Sequence, residues 1–524
     1  MATLDRLRVQ TGAARGDHAA GGARSSVGAP WVVDVVVLAL AAALLRVPAL
    51  LASRHLLFDD GVYGASAVAM RHGALPFREV FSSQGPLFLP LVFVFDLLGG
   101  RTLDAPRLLA LVSGVGVTLA VYAIGRELTS RGGALLAAGL VACSGSVLWT
   151  TGPLTSDGPG VALSCFTVLL ACRYARRSST GSAVAIGACA GAAFAVKSLL
   201  VVPALVAAAL LLVSRRRLVD VAVAGAAAVV VVVAVTVPWG VHNVIEQSVG
   251  YHTDQATHQT PWANTVKTFS TLGDRDAPIF GALVLAVAFT AFAAVRSRSR
   301  RRRDGTSALG RFVAHTPTNR PNAGGGGEPG QVWRVIGNPR VAVAVWALLA
   351  FVVLVLESPM WRNHLAHLVP ALALLVGAYR PPWVALAAAA LVLVPYHVVH
   401  VHDVLAPAPY RGSDAVLEHA LRALPPRAQA ISDDPGFVWR SGHRTPPDFV
   451  DTSVLRIEST RPGIHITGAT VAAAARRPAV CAVVIWSSRF GRFSDLPSRL
   501  QRAGYQQQLT FPHHRSLWTR PCPR

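Results

Sequence analysis

Charged side chains are scarce in this chain: they make up 15% of its 524 residues, against 52% hydrophobic ones. That balance, with repeated apolar runs long enough to cross a bilayer, excludes a soluble globular class. Cysteine is sparse as well, and its six positions form neither a CxxC pair nor a metal-binding spacing. Cys143, Cys165, Cys172 and Cys189 fall inside apolar runs and read as small buried residues. Cys481 and Cys522 lie in the C-terminal tail, where an exported location would permit a disulfide. No cleavable signal peptide opens the chain, since residues 1–30 are polar and rich in Arg, Gly and Ala. Acidic residues are few, 27 against 49 Lys and Arg, which leaves a net charge of +22. In a soluble protein that excess would point to nucleic acid. Here the arginines gather at the ends of apolar runs, so membrane orientation accounts for them and no nucleic-acid partner is expected.

Eleven apolar stretches of near-spanning length occur, at 31–52, 105–125, 133–151, 158–175, 182–197, 198–213, 218–237, 277–295, 341–357, 363–379 and 383–400. Arg126, Arg131, the 173–177 cluster, Arg215 to Arg217, the run from Arg296 to Arg303 and Arg380 then all fall on one side, together with the N-terminal arginines. By the positive-inside rule that side is the cytoplasm. This parity holds only if the stretch from Pro86 to Leu98, short and interrupted by Pro90 and Asp96, does not cross. The expected fold is therefore an α-helical polytopic membrane protein with about eleven spans and juxtamembrane helices. Residues 1–30 form a cytoplasmic disordered tail, 31–400 the transmembrane domain, 53–104 a first extracytoplasmic loop, and 296–340 a basic, disordered cytoplasmic loop against the lipid surface. Residues 401–524 form a small extracytoplasmic α/β domain, in which Val480 to Trp486 reads as a buried strand and 414–424 and 496–503 read as helices.

Chemistry concentrates just past the first span, in Phe58-Asp59-Asp60-Gly61-Val62-Tyr63. Ionised groups near lipid tend to face a cavity or a partner, and a pair of like charges raises one pKa. The segment from Gly61 to His72 reads as a short helix with an aspartate at its N-cap; capping needs one aspartate, and the other could simply be solvated. Asp157, in Ser156-Asp157-Gly158-Pro159, stands at the outer end of a later span, either as a cap alone or as a third carboxylate of one cavity. Asp59, Asp60 and Asp157, if they converge, could hold a divalent metal ion through oxygen ligands. Lys197 lies outside, against the positive-inside pattern, and either snorkels or binds an anion such as phosphate, as could Arg46 in the outer half of the first span. His364 and His367 are three apart, whereas a metal pair on an α-helix prefers four. The acidic clusters around Asp433-Asp434 and Asp448 to Asp451 in the tail read as turn residues and caps, the alternatives being a second acidic site, a carbohydrate-binding surface or a part in shaping acceptor entry.

These motifs resemble those of the GT-C superfamily, the glycosyltransferases that use lipid-linked sugars, in the branch of protein O-mannosyltransferases and lipid A aminoarabinose transferases. The resemblance runs from about Ala42 to Ala378. It rests on Arg46, Asp59-Asp60-Gly61-Val62-Tyr63, Gln84-Gly85-Pro86-Leu87, Ala105-Pro106-Arg107-Leu108, Ser156-Asp157-Gly158-Pro159, Lys197-Ser198, and Asn363-His364 ahead of Pro370-Ala371-Leu372. Two positions depart from the family pattern: Ser198 where it has Gly, and Asn363 where it has His. The tail is similar to those of actinobacterial members. The resemblance implies an inverting hexosyl- or pentosyltransferase of the cell membrane. A polyprenyl-phosphate sugar is the donor, and a glycan, lipid or protein hydroxyl the acceptor. Asp59 is the expected base, with Asp60 beside it. Arg46, Tyr63, Gln84, Arg107, Asp157, Lys197 and His364 are the expected substrate-binding residues, and a divalent ion remains an open cofactor. Since no nucleotide is used, the lack of a Rossmann or P-loop glycine motif fits. The rival readings are a transporter or flippase of a lipid-linked saccharide, against which no internal repeat is visible, and a scaffold, which leaves the acidic pair unexplained.

Overall fold

The structure is a computed structural model that describes residues 30–212, 217–254, 259–308, 338–456 and 466–522. All eleven expected stretches contain helix, and among the described residues six helical stretches are both long and apolar enough to cross a bilayer: Trp31–Leu50, Ala105–Leu128, Leu218–Trp239, Pro261–Ser297, Pro339–Leu356 and Trp383–Leu405. A seventh is the pair Arg131–Cys143 and Gly145–Thr151, bent by 58°. Length and composition alone thus single out fewer full-length apolar helices than the eleven expected stretches. Asp157–Tyr174 is walled in by other helices and carries the buried Ser164 and Thr167. A helix that meets protein instead of lipid needs no apolar face all round. Thr180–Val196, Val201–Leu211 and Val369–Tyr379 are shorter still, the last preceded by the 3-10 turn Arg362–His367.

Lipid-facing helices show the opposite character. Only 11% of the Leu218–Trp239 window is buried, and Val229, Val230 and Val233 stand on its exposed face. Its inner face is made of small residues: a Cβ on Gly187 or Gly191 would come within 2.0 or 2.6 Å of the Ala224 or Ala228 carbonyl oxygen. Such close backbone approach is how helices pack where lipid removes the hydrophobic drive. Two boundaries differ from expectation. The helix expected at 277 begins at Pro261 and kinks at Asp276 ahead of Pro278. It also continues to Ala308, so the described part of the basic 296–340 segment is helical rather than disordered. Residues 309–337 and the N-terminal 1–29 lie outside the described residues.

The first loop holds two helices, Phe58–Arg71 and Phe88–Leu98. The second has only 11 residues, and Asp96 on it is buried in a bidentate pair with Arg71, at 2.7 and 2.5 Å. The last span runs on to Leu405, past the expected end at 400. After it the chain builds a four-stranded sheet in the order β1 (Gln429–Ser432), β2 (Val480–Ile485), β4 (Arg515–Thr519), β3 (Gln506–Phe511), with β1 parallel to β2 and the other pairs antiparallel. All six residues of β2 are buried, and a disulfide joins Cys481 on it to Cys522. This unit docks on the first loop through glycine. Gly64 faces the ring of fully buried Trp439, and Gly61 faces Gly436, so closely that neither position has room for a Cβ.

Candidate active site

The two aspartates of the first loop have unlike surroundings. Leu57, extended at φ −137°, is the residue at the N-cap, so neither carboxylate caps; both sit in the first turn of Phe58–Arg71. The turn aims them in different directions. Asp60 is fully buried and accepts from Arg107 at 3.0 and 2.6 Å and from the Leu154 and Leu56 amides at 3.0 and 2.9 Å. Burial alone would raise this carboxyl, but the Arg107 guanidinium and the amides outweigh it and hold Asp60 below the usual carboxylate range. Arg107 spends its other donors on the Ala52 and Arg54 carbonyls, at 2.9 and 2.7 Å. This clamp ties three segments together. It occupies both Asp60 oxygens and, with the Leu50 carbonyl at 3.4 Å, the Arg107 N–H groups, so here the pair holds the loop in place.

Asp59, one residue earlier, is half-buried and has no hydrogen-bond partner among the described residues. Burial raises its pKa, against the pull of Lys197 and Arg456. Beyond it lies a charge network drawn from three parts of the chain. One Asp157 oxygen accepts from Lys197 Nζ at 2.7 Å and from His367 Nε2 at 2.8 Å. Lys197 Nζ also lies 2.8 Å from His364 Nε2, and His364 Nδ1 lies 2.5 Å from Glu357. Ser156, not Asp157, occupies the N-cap position, so the carboxylate serves the lysine and the histidines rather than its helix. His364 and His367 align because they lie on a 3-10 turn, where residues three apart eclipse; their rings stack at 5.5 Å. An α-helical spacing rule hid that alignment from the sequence.

The Gln84-Gly85-Pro86-Leu87 motif also has a physical reason. Gly85 N donates to Val196 O at 3.1 Å and Leu87 N to Ala195 O at 2.9 Å, which clamps the motif onto the helix end that carries Lys197. A Cβ on Gly85 would lie 2.2 Å from Ala195 O. Gln84 accepts from Ser156 Oγ at 2.7 Å. Tyr63, a turn after Asp59, packs edge-on against Phe88 at 4.6 Å and is buried. Arg46 is not at this site. It is enclosed within the bundle, bonded to Thr151 Oγ1 at 2.7 Å and Ala42 O at 2.8 Å, which argues against its expected substrate contact.

The tail supplies residues that the sequence did not single out for this site. Asp451 is buried and its carboxyl pushed up to about 6, chiefly by burial, with Asp59 adding to the rise. Arg456 lies over Trp361 at 4.9 Å, and Arg489 over Phe58 at 3.7 Å. Their separation from Asp59 along the chain left no sequence signal. A metal ion does not fit the expected trio. Asp60 is saturated by Arg107 and amides, one Asp157 oxygen is taken up by Lys197 and His367, and no group of three His, Cys, Asp or Glu among the described residues could hold an ion. Beside the network a cavity of about 280 Å³ runs between the helices. Gln84, Lys197 and His252 are on its wall, and the rest is mainly apolar, including Val232, Val233, Val237 and Val241. The membrane-side cavity is thus amphiphilic.

Part of the sequence matches a known family, and the fold matches solved structures. A family described as dolichyl-phosphate-mannose-protein mannosyltransferase matches residues 83–242, which include Gln84, Asp157 and Lys197. In fold the chain is similar to ArnT from Cupriavidus metallidurans bound to undecaprenyl phosphate, with TM-score 0.58, 15% identity, and 93% of this chain and 98% of that one covered. The apo state of that protein gives 0.58, 14%, 93% and 97%. An Archaeoglobus fulgidus oligosaccharyltransferase tethered with an acceptor peptide is more remote, at 0.48, 12%, 94% and 74%. No curated protein matches the sequence. The chain carries the GT-C fold, and residues 83–242 carry the mannosyltransferase family's pattern.

Proposed function

We propose that the protein is a membrane glycosyltransferase that moves a sugar from a polyprenyl-phosphate donor to an acceptor hydroxyl, with Asp59 as general base. The observation that carries this reading is Asp59 itself: a half-buried, raised carboxylate with no hydrogen-bond partner among the described residues, within the electrostatic reach of Lys197 on the wall of a mainly apolar cavity. The prenyl chain would lie along the valines and its phosphate at Lys197. Two of that lysine's three donors face Asp157 and His364, which leaves one for the phosphate. The acceptor oxygen attacks the anomeric carbon and gives its proton to Asp59, while the bond from that carbon to the phosphate oxygen breaks. The lipid phosphate leaves as an anion whose charge Lys197 offsets. Attack opposite the leaving group inverts the centre. Undecaprenyl phosphate bound in the ArnT structure of similar fold supports a donor of this lipid class.

The same reading places the active end outside the cell membrane's cytoplasmic face. Arginine clusters gather at the other end, and a disulfide in the tail suits an oxidising compartment. The test is Asp59→Asn in purified, correctly inserted protein. Transfer should be abolished with the melting temperature retained, and cells lacking the protein should accumulate the polyprenyl-phosphate sugar. Unchanged transfer by the variant would remove the assignment.

A further inference from the structure

A second cavity, of about 820 Å³, lies between the Arg54–Phe58 segment and the tail. Its volume is in the upper part of the range for small-ligand sites, about 300–1,000 Å³, and its chemistry differs from that of the valine-lined one. Tyr410 and Phe437 stack at 5.0 Å, and Trp486 meets Phe437 edge-on at 5.2 Å. Around these rings stand planar polar groups of both signs: Asp414, Asp434, Arg492 and Arg515. Several are fixed in place. Asp434 lies 3.3 Å from His55 Nε2, His55 Nδ1 lies 2.5 Å from Tyr410 Oη, and the Arg515 guanidinium is 4.9 Å from the Trp486 ring centre. Sugars are held by such a set, their C–H faces on aromatic rings and their vicinal hydroxyls on carboxylates and guanidiniums. Aliphatic lining is confined to Leu56, Leu57 and Ile485, too little for the apolar side chains of a peptide.

The hairpin turn between β3 and β4 points the same way. His513 and His514, at φ 63° and 59°, are exposed and line this cavity. Two successive residues with positive φ are normally Asn-Gly, and bulkier residues are strained there. Strain of that kind persists where the side chains serve a function. The cavity also ends at Phe58, the residue before Asp59.

We propose that this cavity binds the saccharide part of the acceptor, so that the enzyme extends an existing glycan instead of modifying a protein. The proposal rests on the transferase reading above. Full-length protein in detergent is titrated by calorimetry with mannotetraose, with a linear arabinotetraose and with a Ser/Thr-rich peptide. One tetrasaccharide should bind saturably, and about tenfold more weakly to Asp414→Asn and to the pair His513→Asn with His514→Gly. That double variant should melt above wild type, because its turn is relaxed, which separates lost binding from lost folding. Asp59→Asn should bind the tetrasaccharide as wild type does. Failure of both tetrasaccharides to bind, wild-type affinity in the cavity variants, or binding of the peptide in their place would overturn the proposal. Retained transfer in Asp59→Asn would instead remove the base assignment and leave the binding result standing.

Discussion

Asp59 and Asp60 are adjacent in the chain and differ in everything around them. Asp60 is a buried half of an ion pair, and removing one partner strands the other charge. Asp60→Asn should therefore lower stability by about 3–5 kcal/mol, read as a fall in the denaturation midpoint in detergent, whereas Asp59→Asn, which removes a charge that burial disfavours, should not lower that midpoint. Asp59 must be ionised to take a proton. Because burial raises its pKa, transfer should fall on acidification with a midpoint above the ordinary carboxylate value of about 4. A pH–rate profile with its acid limb at or below that value would count against Asp59. Asp451 carries a stability effect of its own. Its folded pKa of about 6 exceeds the unbound 3.8, so its contribution is fully present below the lower value and is lost as pH rises through the upper one. Asp451→Asn should flatten the pH dependence of melting over that window and melt higher than wild type at pH 8, by at most roughly 3 kcal/mol.

The helix that carries Asp59 is positioned by contact with the tail rather than by its own ends. No side chain caps it, and its outer face rests on Trp439 through Gly64, where an added Cβ would lie 2.3 Å from the ring. Gly64→Ala should cost about 1–3 kcal/mol of stability and lower transfer as well, since the ring must move and Asp59 with it. Melting curves and turnover of the same preparation check both. The 3-10 turn at Arg362–His367 teaches a related lesson. Its His-x-x-His spacing is visible in the sequence, but its meaning depends on three residues per turn rather than 3.6. The Gly85 motif was visible too, and only the Ala195 carbonyl against it explains why no side chain is tolerated.

For the molecule as a whole, the arginine pattern along the chain carries the expectation that the active end lies outside. Lys197 and the 3-10 turn meet at Asp157, whereas Arg176, Arg340 and Arg380 gather on residues 127–129 and Arg131 on Asp34. Cysteines introduced beside Gln84 and in the tail of a cysteine-depleted chain should react with an impermeant reagent added outside intact cells; protection at both sites would invert the orientation. Apolar runs, the acidic pair, Lys197 and the buried β2 strand were legible along the chain, because hydropathy and local motifs depend only on neighbouring residues. The number of full spans was not, since a helix enclosed by others can be short and polar and still sit within the bundle. Nor was the division between Asp59 and Asp60, nor the arrival of Asp451, Arg456 and Arg489 at the same site. Those depend on long-range packing, in which a single turn of helix sends one carboxylate to Arg107 and leaves the other facing the cavity network.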